Sequence, residues 1–226
     1  MSVPDDYKVL EYNDVPNVKV VNGKKVFNCT LCGECCHIRE KDKGISLEDE
    51  EKYRQYMYSK FGILYLARLN DITINVWPEE AELLKQDAKE KNIKIKILPK
   101  RIIYDKKHHE IIILDYYIDH DVCPFFNAKD KLCGVYEHRP IICRSYPLLT
   151  TKNLGKCSYK LNDPLDYDTE MDAAEKLDKM VNLQKNVIKQ MIDSGNIEIP
   201  ESITPVELDS ILRSAKFKEL RIMDKI

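Results

Sequence analysis

Glycine is scarce in this chain, with seven among 226 residues. That leaves little room for a glycine-rich phosphate loop, and no such nucleotide loop is visible. No apolar run approaches the roughly 20 residues that a membrane-spanning helix needs. An excess of one charge is also missing: 36 Lys plus Arg face 38 Asp plus Glu, a formal net charge of -2. A general nucleic-acid or membrane-surface binder draws its affinity from surplus cations, so neither partner is expected. The opening MSVPDDYKVLEYND has no basic segment followed by an apolar one. It does not read as a secretory signal, and a cytoplasmic protein is the expectation. No Ser-His-Asp or paired-carboxylate pattern supports hydrolysis. What remains is a chain with 43% apolar and 33% charged residues, able to bury a core. Its length suits one fold with an appendage.

Cysteine is the excess. Cys29, Cys32, Cys35 and Cys36 form C-x2-C-x2-C-C, and Cys123, Cys133, Cys143 and Cys157 follow much later. Without an export signal, the thiols are expected to stay reduced, and the tight C-x2-C loops would strain a disulfide. A composition rich in Lys, Glu, Ile and Tyr resembles that of hyperthermophiles, whose intracellular proteins do carry disulfides, but the spacing favours metal. Two intervening residues let the chain reverse and aim two thiolates at one centre. C-x2-C-x2-C matches the opening of the bacterial ferredoxin run, in which a remote Cys-Pro supplies a further thiolate, and Cys123-Pro124 is such a pair. Only Gly33 is present to relax the first loop. In an extended chain Cys35 and Cys36 would point to opposite sides, so both are not expected to serve one mononuclear site.

The expected elements surround these motifs. Residues 18–21 and 24–27 form a hairpin on Asn22-Gly23, whose second strand leads to Cys29. Ser46 and Asp49 cap a helix from Leu47 to about Lys60, with Gly62 as its stop. Residues 72–77 read as a strand, and Pro78 opens a helix running to Lys91. From Ile93 the pattern is β, through IKIKIL and RIIYD, turning at Lys106–His109 and returning as EIIILDYY toward Cys123. Residues 161–167 read as a linker. A helix follows over 168–193, with an apolar stripe at Ala174, Leu177, Val181, Ile188 and Met191. Thr204, Pro205 and Glu207 open a last helix, basic toward its end. The expected fold is α+β: a small antiparallel sheet with a cysteine-ligated centre and flanking helices over residues 1–160, and a helical extension over 161–226.

Around the later cysteines the chain reads Val122-Cys-Pro-Phe-Phe126, Cys133-Gly-Val-Tyr-Glu-His-Arg-Pro140 and Cys143-Arg-Ser-Tyr-Pro147. With Cys29-Thr-Leu-Cys-Gly-Glu-Cys-Cys36, this resembles the YkgJ-type cysteine-cluster family, the zinc- or iron-chelating CxxCxxCC domain, over about residues 27 to 158. The resemblance implies metal or iron–sulfur binding and gives every cysteine a place. One branch is similar to the flagellin lysine N-methylases, which implies protein lysine methyl transfer as an alternative. The radical-SAM run, however, has three residues between its first two cysteines, whereas Cys29 and Cys32 are separated by two.

All eight cysteines are therefore candidate ligands. Arg139 and Arg144 flank Cys143 and are candidate cofactor-binding residues, since guanidinium donors shield the negative charge of a thiolate centre. The alternative for Arg139 is a surface pair with Glu137 or a nearby Asp. Pro140 and Pro147 are expected to fix turns, and Tyr136 and Tyr146 to pack against the centre as a dry shell, with the lining of a pocket as the alternative. His37 and His120 are weaker ligand candidates, His138 is read as a surface or supporting residue, and His108 and His109 as a turn. The expected cofactor is an iron–sulfur cluster, of the 4Fe-4S kind, in a redox or electron-transfer protein with an electron-transfer or protein partner. Zinc as a structural staple is the alternative.

Overall fold

The fold is taken from a computed structural model, which describes residues 18–27, 33–37, 45–69, 74–146, 148 and 167–223. Its centre is a hairpin of two nine-residue strands, β5 (Ile97–Asp105) and β6 (Glu110–Ile118). Short strands complete the sheet: β3 (Ile63–Tyr65) beside β5, and β4 (Asn75–Val76) and β9 (Lys216–Glu219) beside β6. All pairings are antiparallel except that of β9, which runs parallel to β6.

The apolar run of β6 buries both faces of the strand, as a central strand requires. On one face, Ile102, Ile111 and Ile113 meet Ala81, Leu84 and Ala88 of α2 (Pro78–Glu90). Leu208, Ile211 and Leu212 of α5 (Pro205–Ser214) pack on the same cluster. On the other face, Ile103, Ile112 and Leu114 meet Met57 of α1 (Leu47–Phe61) and Ile188 of α4 (Asp168–Asp193). Helices thus cover both sides of the sheet. A third cluster sets Trp77 and Ile141 against Met180 of α4.

Local signals placed most helix ends. Ser46 accepts the Asp49 N–H at 3.0 Å to start α1, and Gly62 closes it. Thr204 and Glu207 form a complete capping box at α5. Asn22 and Gly23 both adopt positive φ between β1 (Val18–Val21) and β2 (Lys24–Phe27), as the expected turn demands. Three expectations need correction. Strand β5 begins at Ile97, because Asp119 and His120 bind the backbone around Lys96 outside the ladder: Asp119 N–H donates to Lys96 C=O, and Lys96 N–H donates to His120 Nε2. Of the strand expected over 72–77, only Asn75–Val76 pairs, and residues 72 and 73 lie outside the described residues. The basic end expected for the last helix is instead β9: α5 stops at Ser214, and the extension contributes a strand to the main sheet. The linker over 161–166 lies outside the described residues.

A buried polar seam joins α4 to the sheet. Arg101 Nε donates to Asp115 at 2.8 Å, and its terminal nitrogen reaches Gln184 Oε1 at 3.1 Å. Gln184 in turn donates to the Leu114 C=O at 3.0 Å. The expected apolar stripe of α4 thus contains one fully satisfied amide.

Candidate metal centre

Five of the eight candidate cysteines fall among the described residues; Cys29, Cys32 and Cys157 lie outside them. Two separate parts of the chain meet at the other five. Glu34–Cys36 forms a single 3-10 turn, closed by Cys36 N–H donating to Gly33 C=O at 2.9 Å. The Cys36 carbonyl accepts the Cys123 N–H at 2.7 Å, which ties the first motif to the second.

Gly33 explains how they approach so closely. Its φ is +81°, and a Cβ there would sit 2.3 Å from the Phe126 ring. Only glycine permits both the turn and that contact. The extended-chain premise for Cys35 and Cys36 does not hold, because the pair occupies a turn. Their thiols hydrogen-bond to each other, with Cys35 exposed and Cys36 half-buried.

The second motif is built as two knuckles. After Cys123 the chain turns, with Phe126 N–H donating to the Cys123 C=O at 2.9 Å. It then makes the two-residue strand β7 (Phe126–Asn127), which pairs with β8 (Leu132–Cys133) and places Phe126 opposite Cys133. Gly134 N–H returns to the Phe125 C=O at 2.7 Å. A 3-10 turn over Tyr136–His138 leads to α3 (Ile141–Arg144), which carries Cys143.

The electrostatics show that these thiols share one neighbourhood. Burial pushes the Cys123 thiol up to about 11, against the Phe125 and Phe126 N–H groups that donate to it and with added repulsion from Cys133 and Cys35. Burial also raises Cys133, opposed by the Val135 N–H and by the Arg139 charge. Cys143 is raised well above the usual thiol value by burial and by the charges of Cys123 and Cys35, with Arg139 opposing. Cys36 is raised by its hydrogen bond to Cys35, then by burial. Among the described residues no three His, Cys, Asp or Glu side chains converge closely enough to hold a metal ion by themselves.

The donor set nevertheless suits a thiophilic metal. Cys123 is a buried thiol and Cys36, Cys133 and Cys143 are half-buried ones, none of them bridged, and backbone N–H groups already point at the sulfurs of Cys123 and Cys133. Such N–H donors stabilise thiolate once a cation displaces the protons.

Compared with known families, residues 28–162 match the CxxCxxCC family, described as a "Putative zinc- or iron-chelating domain". The chain belongs to the CxxCxxCC family. No curated protein and no solved structure matches it. The matched CxxCxxCC span takes in all eight cysteines, and the described part of it places the first motif against the second.

The other candidates of this CxxCxxCC chain resolve individually. Among the described residues Arg139 pairs with neither Glu137 nor an Asp: its guanidinium lies 3.8 Å over the Tyr136 ring, and its Nε donates to the Tyr136 C=O at 3.2 Å. From there its charge reaches Cys133 and Cys143. Arg144 is exposed, and its charge acts on Glu80. Tyr136 is 54% exposed, so it is no dry shell, whereas Tyr146 packs edge-on against Phe27. His37 meets the Phe126 ring edge-on. His120 spends Nε2 on the Lys96 N–H, and His138 Nδ1 pairs with Asp87 at 2.8 Å. Pro140 caps α3, and Pro147 lies outside the described residues.

Elsewhere, a groove of about 730 Å³ lined by Tyr104, His109, Glu207 and Ser214 contains no cysteine. Ser214 Oγ stands 3.1 Å from His109 Nε2 there, but the hydroxyl donates to the Ser210 C=O at 2.9 Å. Ser214 also ends α5, where carbonyl dipoles oppose an alkoxide. The pair is a structural tie. Sequence reasoning missed Glu80, which is buried on α2 and reaches α3; nothing in its local pattern signals a partner 61 residues away.

Proposed function

We propose that the cysteines of this chain hold an iron–sulfur cluster in a protein that transfers electrons. Metal chelation is the described role of the family to which it belongs. The observation that carries the finer reading is the setting of Cys133 and Cys143: two desolvated thiols under the charge of Arg139, with Val135 N–H donating to the first. Positive charge and N–H donors beside sulfur raise the potential of a cluster and stabilise its reduced form. Arg139 is fixed for this task by stacking on Tyr136, while Cys35 supplies an exposed edge. When bound, the cluster supplies the one-electron chemistry. The chain holds it, shields it from water through Phe125 and Val135, and offsets its charge.

Zinc is the second reading, because N–H donors on knuckle sulfurs serve a tetrahedral zinc site equally well. Metal and acid-labile sulfide analysis on protein purified without oxygen, with an absorption spectrum, separates the two. Iron and sulfide in about equal amounts, with a broad band near 400 nm that dithionite bleaches, is the expected result. Stoichiometric zinc and a featureless visible spectrum would replace it with a stapled fold.

A further inference from the structure

Helix α2 lies between the two cysteine motifs in sequence and contains no cysteine, yet two of its buried carboxylates grip the second cysteine segment. Glu80 Oε1 accepts the Ile141 N–H at 2.6 Å, and Oε2 accepts the Trp77 N–H at 3.0 Å. Seven residues on, Asp87 holds His138 Nδ1 at 2.8 Å. A seven-residue step returns to almost the same face of an α-helix, so both carboxylates project from one side of α2. The two anchor points, His138 and Ile141, both fall between Cys133 and Cys143.

The anchorage is needed. Helix α3 has four residues, too few to hold itself, and begins two residues before Cys143. Pro140 offers no side-chain cap, so the Glu80 carboxylate takes that part. Burial works against a charged Glu80, and the two N–H groups and Arg144 oppose that penalty. A buried carboxylate aimed at two helix starts fixes their separation more tightly than apolar packing would, because hydrogen bonds are directional.

We propose that Glu80 and Asp87 are positioning residues for the metal centre, setting the place of Cys143 relative to Cys133. This rests on the metal-binding reading and goes beyond it, since it assigns a role to residues outside every cysteine motif.

Cobalt(II), added to the full reduced chain without oxygen, tests it. The intensity of the thiolate-to-cobalt charge-transfer band reports the number of bound thiolates. Glu80→Gln is expected to weaken cobalt binding about tenfold and to lower that band, as Cys143→Ser does. In the Cys143→Ser background, Glu80→Gln should add almost nothing, because the two act through one ligand. Glu79→Gln is the control: its carboxylate accepts the Met223 N–H at 3.0 Å, not a backbone N–H of α3, and cobalt binding should not change. Far-UV circular dichroism follows folding, and if Glu80→Gln unfolds, Asp87→Asn carries the same comparison with about a threefold loss. Unchanged cobalt binding in a folded Glu80→Gln, or additive losses in the double variant, overturns the proposal while leaving the metal reading intact. A wild-type chain with no cobalt–thiolate band overturns both.

Discussion

Strands β5 and β6 run nine residues each and bury apolar side chains on both faces, whereas β7 and β8, which lie between Cys123 and Cys143 and include Cys133, have two residues each. The sheet has Ile102, Ile103, Ile111, Ile112 and Leu114 at its heart, each essentially inaccessible to water. The cysteine segment has Phe125, Val135 and Ile141, plus a series of single hydrogen bonds: Cys123 to Cys36, Gly134 to Phe125, and Ile141 to Glu80. Apolar burial scales with area, so the sheet can stand on its own side chains. The cysteine segment buries less apolar surface, and metal binding to its thiolates, which requires their protons to leave, would add to its folding energy.

The largest test of that contrast is metal removal. A structural metal contributes roughly 10–16 kcal/mol in small zinc-binding peptides. Chelation should therefore abolish amide-exchange protection across residues 123–144 while leaving β5 and β6 protected. Equal loss in both regions would mean that they form one cooperative unit. Next in size is Leu114→Ala, which empties a fully buried site and should cost about 2–5 kcal/mol in denaturant unfolding, without changing cobalt stoichiometry.

Gly33→Ala strikes the other region. A methyl group 2.3 Å from the Phe126 ring, on a residue with φ +81°, should cost about 1–3 kcal/mol. The loss should appear in metal affinity more than in the unfolding of the sheet. Asp105 sharpens the sheet side. Burial pushes its carboxyl up, but the Glu198 N–H, the His108 ring and the Lys107 N–H outweigh it and hold it below the usual carboxylate range. Its stabilising contribution is complete above the unfolded value of about 3.9 and is lost as pH falls through the lower folded value. Asp105→Asn should cost about 1–3 kcal/mol at pH 7 and flatten the acid limb of the stability profile. The smallest effect belongs to Tyr136→Ala, within about 0.5 kcal/mol in thermal unfolding because the ring is exposed. A larger loss would place the Tyr136–Arg139 stack inside the load of the cysteine segment.

Elements governed by neighbours in sequence were legible. Ser46, Pro78 and Thr204 announced their helices, and Asn22-Gly23 its turn, because caps and tight turns are satisfied within a few residues. Strand β9 was not. Lys-Phe-Lys-Glu after a helical stretch reads as a basic helix end, and only its pairing with β6, more than a hundred residues earlier, makes it a strand. At the candidate site the spacing alone picked out the cysteines as candidate ligands. The dual demand on Gly33 was half visible: the turn could be read, the Phe126 ring above it could not. Glu80, Asp87 and the Arg139–Tyr136 stack were hidden for the same reason as β9, since each depends on which distant segment packs against it.

Strand β9 also sets an order of assembly on the ribosome. It joins β6 across the whole intervening chain, so β9 completes the sheet, and α5 covers the apolar cluster on which Cys36, Cys123 and Cys133 rest, only after those segments have been translated. Cys157, the last of the eight, precedes β9 by roughly 60 residues. At about 5–20 residues per second, that gives an interval of roughly 3–12 s in which every thiol has been synthesised and the final strand has not. During that interval every cysteine is already part of the chain while the strand that completes the sheet is still to come, so the order of synthesis puts the ligand candidates ahead of the finished sheet.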